Sequence, residues 1–198
     1  IDISSLPQDE FLDLFCGLDV VMSDLSEARE ELDERNRQSR MRAELWRIAT
    51  RAYPSPRHFV QALVDCLGPE LDLLRVSYYD IPGPDQEAVC TAQWCRKDVA
   101  DTLDLKIPVS VWRSLRGEPF VELHRNRLEG PTAQETRELM ERTGVGSVVA
   151  VACGDRQEPS GIAMFSNSRE DRVWSELERA FLSEIARVVT TKLSQLRA

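Results

Sequence analysis

The chain has 198 residues, of which 42% are hydrophobic and 30% charged, and its formal net charge is -9. This length is sufficient for one domain with a substantial core and an accessory segment. The acidic balance argues against a nucleic-acid-binding surface, which needs a basic face, and against adhesion to anionic lipid. We therefore expect neither nucleic acid nor a membrane as a partner.

Targeting signals and a disulfide framework are not found in the sequence. No apolar run reaches the about 20 residues that span a bilayer, and no signal-peptide pattern opens the chain, so we expect a cytoplasmic protein. Because the sequence begins with Ile1 and not Met, we expect a fragment of a longer protein. An odd number of scattered cysteines predicts reduced, buried thiols. These are Cys16, Cys66, Cys90, Cys95 and Cys153.

Residues 8–52 predict a long helix, because they contain no proline and only Gly17 as a breaker. Apolar residues recur there at steps of three, four and seven positions, as in a coiled-coil seam. The seam consists of Leu18, Met22, Leu25 and Leu32. Either this helix packs on its own domain, or it dimerises and transmits a signal. We favour dimerisation, and we assign 1–40 to a helical connector and 41–198 to the domain proper.

The following elements switch between helical and strand periods. Ser55 and Pro56 predict the start of a second helix, which Gly68-Pro69 is expected to end. A period of two residues then predicts strands. The predicted strands are 73–81, 87–96, 103–109, 120–123, 146–153 and 161–167. The predicted later helices are 110–118, 132–144 and a long one from Ser175, where Ser175 and Glu178 form a capping box.

This order of elements predicts an α+β fold with a central antiparallel sheet of five to six strands. Several segments also resemble a GAF domain, a widespread sensory module. The resemblance is carried by GVGSVVAVAC, SGIAMFSNS and VWSELERAFLSEIARVVTTKL near the end, and by LRVSYYDI and IPVSVWRSLRGEPFV before them. It covers about residues 41–197.

The resemblance implies an architecture and a role. Long N- and C-terminal helices would cover one sheet face, and short helices would close a small-molecule pocket on the other. GAF domains are often fused to histidine kinases, diguanylate cyclases or transcription activators of bacteria, and signal as dimers through their terminal helices. Besides the connector seam, we therefore expect the last helix to contribute Ile185, Val189 and Leu193 to a homodimer.

Candidate ligand-binding residues combine an apolar body or a small polar group with a strand or short-helix position facing the expected pocket. Aromatic side chains supply contact area, serines orient polar ligand groups, and arginines pair with anions. The candidates are Ser77, Tyr79, Trp94, Arg96, Trp112, Arg113, Phe120 and Ser147.

Some expected features of related sensors are missing. The Asn-Lys-Asp set of cyclic-nucleotide-binding members is not found. Asp80-Ile81-Pro82 spells the DIP of phytochromes but lacks the Cys-His pair that follows it there, so we expect no bilin and no other cofactor. No catalytic set or metal-binding spacing is evident, and we expect a non-enzymatic sensor.

Two alternatives remain open: a structural dimerisation module with a vestigial pocket, and a thiol redox sensor or methionine sulfoxide reductase. Against the latter, Cys90 and Cys95 are five positions apart. On a regular strand they would lie on opposite faces, about 16 Å apart.

Overall fold

The sequence folds into helices and strands in nearly the expected order. The computed structural model describes residues 8–114, 116–118, 120–155 and 157–197, with backbone alone for 8–14. The helices are α1 (Gln8–Thr50), α2 (Pro56–Glu70), α3 (Val109–Arg113), α4 (Ala133–Arg142) and α5 (Glu176–Arg197). The strands are β1 (Arg75–Asp80), β2 (Ala88–Cys95), β3 (Lys106–Ile107), β4 (Phe120–His124), β5 (Ser147–Gly154) and β6 (Pro159–Asn167), and a 3-10 turn spans Arg125–Arg127.

Contacts divide the chain into two units, which meet between Met41 and Arg42 and are described separately. In the first unit, residues 8–41 form the greater part of α1. The seam residues Leu18, Met22, Leu25 and Leu32 are each about 60% exposed. Ion pairs one helical turn apart, such as Arg35 with Glu31 at 2.6 Å, support this helix on its polar surface.

In the second unit, the six strands form one antiparallel sheet in the order β3-β2-β1-β6-β5-β4. Strands β1 and β6 are central, which explains why β1 is buried over five of its six residues. This arrangement confirms the predicted α+β fold with an antiparallel sheet of five to six strands.

Helices cover both faces of the sheet. Helix α2 packs on β1 and β2, α5 packs on β5, and the two helices contact each other. The last turns of α1 contribute the buried Leu45 and Ile48. Residues of α3 and α4 lie over the other face, where they enclose a cavity.

Several element boundaries differ from those expected. The third strand has only two residues, because Asp104 just before it adopts a left-handed φ of 63° and turns the chain. Helix α2 runs through Gly68 and Pro69 to Glu70. The Oγ of Ser55 contacts His58 Nδ1 at 2.7 Å and makes no capping bond.

The capping box at α5 forms as expected. Ser175 Oγ accepts a hydrogen bond from the Glu178 amide at 3.2 Å, and the Glu178 carboxylate accepts one from the Ser175 amide at 2.9 Å. Two amide groups of the first turn are thereby satisfied, which defines where α5 begins.

Candidate functional site

The alternation of side chains along β1 defines the two faces of the sheet. Val76 lies opposite Phe165 of β6, and both belong to the face covered by α2 and α5. Arg75 and Tyr79 point to the other face, where both line the cavity under α3 and α4. Successive residues of β1 therefore point alternately to the helix-covered face and to the cavity face of the sheet.

The cavity has a volume of about 50 Å³ and lies between this sheet face and the two short helices. Most of its wall is aliphatic, which excludes a strongly hydrated interior. The sheet side contributes Arg75, Tyr79, Ile107, Leu123, Val148, Met164 and Ser166. The covering side contributes Leu105, Val111, Thr136, Leu139, Met140, Thr143 and Val145.

Arg75 is the charged group of this cavity. Its side chain is buried, with the residue only 2% exposed, and its Nη2 donates a hydrogen bond to the carbonyl oxygen of Ala100 at 2.8 Å. Its Nε is buried without a hydrogen-bond partner, and within the described ranges no carboxylate lies within salt-bridge distance. This guanidinium is therefore buried without a carboxylate partner among the described residues.

Two serines flank this arginine. Ser166 of β6 is directly opposite Arg75 in the β1–β6 pair and lines the cavity. Ser77 shares the face of Arg75 and Tyr79, and its Oγ is buried with no hydrogen-bond partner in the described part of the chain. Hydroxyl groups beside a guanidinium can donate to the same acceptor, so this corner of the cavity is suited to an anion.

One of the predicted ligand-binding residues, Tyr79, lines the cavity, and two others, Ser77 and Trp112, lie beside it outside the lining. Burial raises the pKa of the Tyr79 hydroxyl well above the ordinary value, so the group stays protonated. Ser77 is two residues before Tyr79. Trp112 of α3 packs in one hydrophobic cluster with Tyr79 and donates from Nε1 to the carbonyl oxygen of Gln86 at 2.9 Å.

The predicted arginines do not reach the cavity. Arg96 is exposed and its Nε lies 3.6 Å from the Asp98 carboxylate. Arg113 of α3 is also exposed, and it donates to the Pro84 carbonyl at 3.0 Å and to the Asp85 carboxylate. Arg113 is the last residue of α3 and Arg96 directly follows β2, and at such exposed positions an ion pair contributes little.

The remaining three candidates belong to the helix-covered face. Trp94 is opposite Val76, and its ring packs on Gly68 of α2. Phe120 is opposite Val151 on edge strand β4, under the guanidinium of Arg179. Ser147 Oγ donates to the Arg169 carbonyl oxygen at 2.7 Å. Side-chain parity places these residues away from the cavity.

The cavity residues that sequence reasoning missed are Arg75, Ser166 and the helix α4 residues that cover them. Arg75 carried a usable signal: it is a charged residue within the strongly apolar segment LLRVSYYDI. A charge at an alternate position of a central strand must face a partner or a cavity. The α4 contribution had no such signal.

The predicted dimerisation residues of α5 are part of the core of their own unit. Ile185, Val189 and Leu193 are 1%, 0% and 2% exposed in the single chain. Their side chains are already covered within one protomer, so they offer no surface to a second copy. The connector seam is the exposed part of the predicted interface.

The cysteines are all free. Cys90 and Cys153 are buried, and burial raises the pKa of their thiols to about 11 and about 12. The expectation for a regular strand, that Cys90 and Cys95 lie on opposite faces, does not apply, because β2 has a bulge: Tyr79 pairs with Cys90 whereas Tyr78 pairs with Ala92. Thr91 is the extra residue, and Cys95, opposite Arg75, shares the cavity face.

Metal binding and membrane insertion are not indicated by the described residues. They contain no group of three or more His, Cys, Asp or Glu side chains arranged to hold a metal ion. Among the same residues, no helix combines the length and apolarity needed to cross a bilayer.

A second hollow is open to solvent and lies on the helix layer. It has a volume of about 490 Å³ between the end of α1 and α5, beside Trp46 and Lys192. Its polar lining side chains are exposed or half-buried, so they remain hydrated without a ligand. The smaller cavity, with its buried charge, is the stronger candidate site.

Comparison with known proteins identifies the fold. No family model matches the sequence, and no curated protein matches it. Among solved structures, the phycoerythrobilin-bound GAF domain of a cyanobacterial phytochrome is 16% identical, with a TM-score of 0.63, and the match covers 82% of this chain and 95% of that one. The chromophore-binding domain of a bacteriophytochrome from R. palustris is 17% identical, with a TM-score of 0.65.

The coverage of these structures is unequal. The match to the R. palustris chromophore-binding domain covers 83% of this chain and 63% of that domain. Another structure of the R. palustris bacteriophytochrome is 17% identical, with a TM-score of 0.63. That match covers 83% of this chain and 37% of the bacteriophytochrome chain. At these identities the likeness establishes the three-dimensional arrangement alone.

Proposed function

Because this chain has the GAF fold, we propose that its second unit is a non-catalytic sensory module that binds a small molecule between the sheet and helices α3 and α4. The observation that carries the proposal is the cavity there, which combines an aliphatic wall with the buried, unpaired Arg75. Few convergent polar groups in an apolar hollow are typical of small-molecule sites.

The size of the cavity limits the ligand. Pockets for drug-sized molecules occupy about 300–1,000 Å³, whereas this cavity has a volume of about 50 Å³. A linear tetrapyrrole such as those named for the phytochrome structures would require its walls to move apart. We therefore propose a ligand much smaller than a bilin.

The output of the module would pass through α1. Four apolar seam residues of residues 8–41 are about 60% exposed, which suits pairing with the same seam of a second chain. In this proposal the chain belongs to a cytoplasmic bacterial signalling protein, such as a histidine kinase, diguanylate cyclase or transcription activator. Ligand binding must then favour one of two helix arrangements to transmit a signal.

A thermal-shift screen of the whole chain against small metabolites tests ligand binding. We expect a melting temperature that rises with ligand concentration, since a ligand of the native state stabilises it by mass action. Val148→Phe fills the cavity and should abolish the response. Val173→Phe, at a position 80% exposed, is the matched control and should preserve it.

The same screen distinguishes the sensory function from a second candidate function, that of a structural dimerisation module. That function is favoured by the exposed seam alone and predicts no ligand response. The sensory proposal would be contradicted if no compound of a broad screen that includes biliverdin changed the melting temperature. If the chain nevertheless dimerised, the result would support the structural function.

A further inference from the structure

We propose that the cavity binds a short-chain monocarboxylate, with the carboxylate held by Arg75 and the alkyl tail against the aliphatic wall. This deepens the proposed sensory function and rests on it. It names the chemical class of the ligand and the group that recognises it.

The unpaired charge of Arg75 is the first argument. Its guanidinium is withdrawn from water, donates to Ala100, and has a buried Nε without a partner. The nearby Asp101 is engaged elsewhere, since its carboxylate accepts from the Gln93 amide and from the Leu103 backbone amide at 2.6 Å. Burying a cation without a counter-ion is costly, so an anion that reaches Arg75 gains a favourable pairing.

The arrangement of donors is the second argument. Ser166 is directly opposite Arg75 across the β1–β6 pair, and both line the cavity. Ser77, with its unpartnered Oγ, follows Arg75 on the same face of β1. A planar fork with a hydroxyl beside it matches the two oxygens of a carboxylate.

The size and lining of the cavity select the rest of the ligand. Since one water-sized group needs about 10–15 Å³ of such space, a volume of about 50 Å³ holds only a few non-hydrogen atoms. Apart from Arg75 the lining has no charged side chain and is mainly aliphatic, with Leu139, Met140 and Val148 among its members, so it offers no partner for a second charge. Propionate has the charge, the size and the apolar end that fit.

The test compares three compounds of similar size on the whole chain. Sodium propionate carries the charge, propionamide has the same shape without it, and inorganic phosphate has charge without an alkyl tail; sodium chloride maintains the ionic strength. We expect propionate alone to raise the melting temperature, by about 5–10 °C at 100 times its Kd.

Arginine variants show whether the response depends on Arg75. Arg75→Met should weaken propionate binding at least about tenfold in calorimetry, because it removes charge-assisted hydrogen bonds. Arg75→Lys should retain part of the affinity, since it keeps the charge without the fork. Arg96→Met, in an exposed arginine, is the matched control and should leave the affinity unchanged.

A folding defect would not hide the result. Arg75→Met removes a buried charge, so the ligand-free variant should melt no lower than the original chain. If it does not fold, Ser166→Ala serves instead and should weaken propionate binding by severalfold.

The unfavourable outcomes differ for the two proposals. An equal response to propionamide, or a response to phosphate alone, would overturn the carboxylate assignment while leaving a ligand-binding cavity. An unchanged propionate affinity in both Arg75→Met and Arg75→Lys would also overturn it. No response to these compounds or to any member of the broad metabolite screen would overturn both.

Discussion

Gly68 permits the close contact of α2 with β2. A Cβ at this position would overlap the ring of Trp94, which packs directly on the helix backbone. Alanine is the better helix former by about 1 kcal/mol, so propensity and packing oppose each other at this residue. The rigid indole cannot move without disturbing its neighbours, and packing should prevail.

We expect Gly68→Ala to lower the free energy of unfolding by about 1–3 kcal/mol, measured by urea denaturation. Gly17→Ala in α1 is the control, because nothing lies within 4 Å of a Cβ there and the change should be neutral or stabilising. Combining Gly68→Ala with Trp94→Leu should recover part of the loss. A stabilising Gly68→Ala would show that propensity outweighs the contact.

Arg75 shows what a single residue in a sequence can and cannot reveal. Its apolar neighbours predicted a buried strand, and β1 formed there. Whether the alternate positions faced helices or a cavity depended on which elements covered each face, and those contacts are distant in sequence. For this reason the candidates included Tyr79, which lines the cavity, but also Trp94 and Ser147, which lie on the opposite face.

At the scale of elements, the seam of α1 is an exposed apolar row in the single chain. Leu18, Met22, Leu25 and Leu32 follow steps that keep them on one side of the helix, and each is about 60% exposed. In proteins most of the stability of a helix comes from the packing of its apolar face, and the seam lacks such packing in the single chain.

Under the proposed pairing of two chains through this seam, we expect Leu25→Glu to dissociate the homodimer, since it places a charge in the seam. Sedimentation velocity over a range of concentrations would measure the change. Val20→Glu is the matched control: Val20 is 60% exposed but lies off the seam. Equal sedimentation of the original chain and Leu25→Glu, both as dimers, would place the interface elsewhere.

Element boundaries were predictable where a local signal set them. The reciprocal bonds of Ser175 and Glu178 begin α5 where the sequence indicated. The length of the third strand was overestimated, because the left-handed turn at Asp104 has no strong sequence signature. The bulge at Thr91 has no sequence signature either. It places Cys95 on the face opposite to the one expected for a regular strand. Local chemistry sets helix ends, whereas register depends on neighbouring strands.

At the scale of the whole molecule, buried thiols are expected to lower the stability of the fold at alkaline pH. The pKa of Cys90 is raised to about 11 and that of Cys153 to about 12, because burial disfavours the thiolate. In the unfolded chain each thiol loses its proton near pH 8.5. Between these values the unfolded state binds fewer protons than the native state, so stability falls as pH rises.

From pH 8 to pH 10, we expect the free energy of unfolding to fall by about 1–2 kcal/mol for each of these thiols. Urea denaturation at several pH values, under reducing conditions, would measure the slope. Cys153→Ala should make the decline shallower, whereas Cys16→Ala, at an exposed position, should leave it unchanged. A slope unaffected by Cys153→Ala would assign the alkaline loss to other groups.

Strand β1 is hydrogen-bonded along both edges, to β2 and to β6, and its residues face the cavity and the helix layer in turn. Few of its side chains can be exchanged without disturbing one layer or the other. Over evolutionary time this strand should accumulate substitutions slowly, and the exposed surface of α1 quickly. Under the proposed function, new ligand preferences in descendants of this sequence would arise mainly from the α4 residues that cover the cavity, while the arginine of β1 persists.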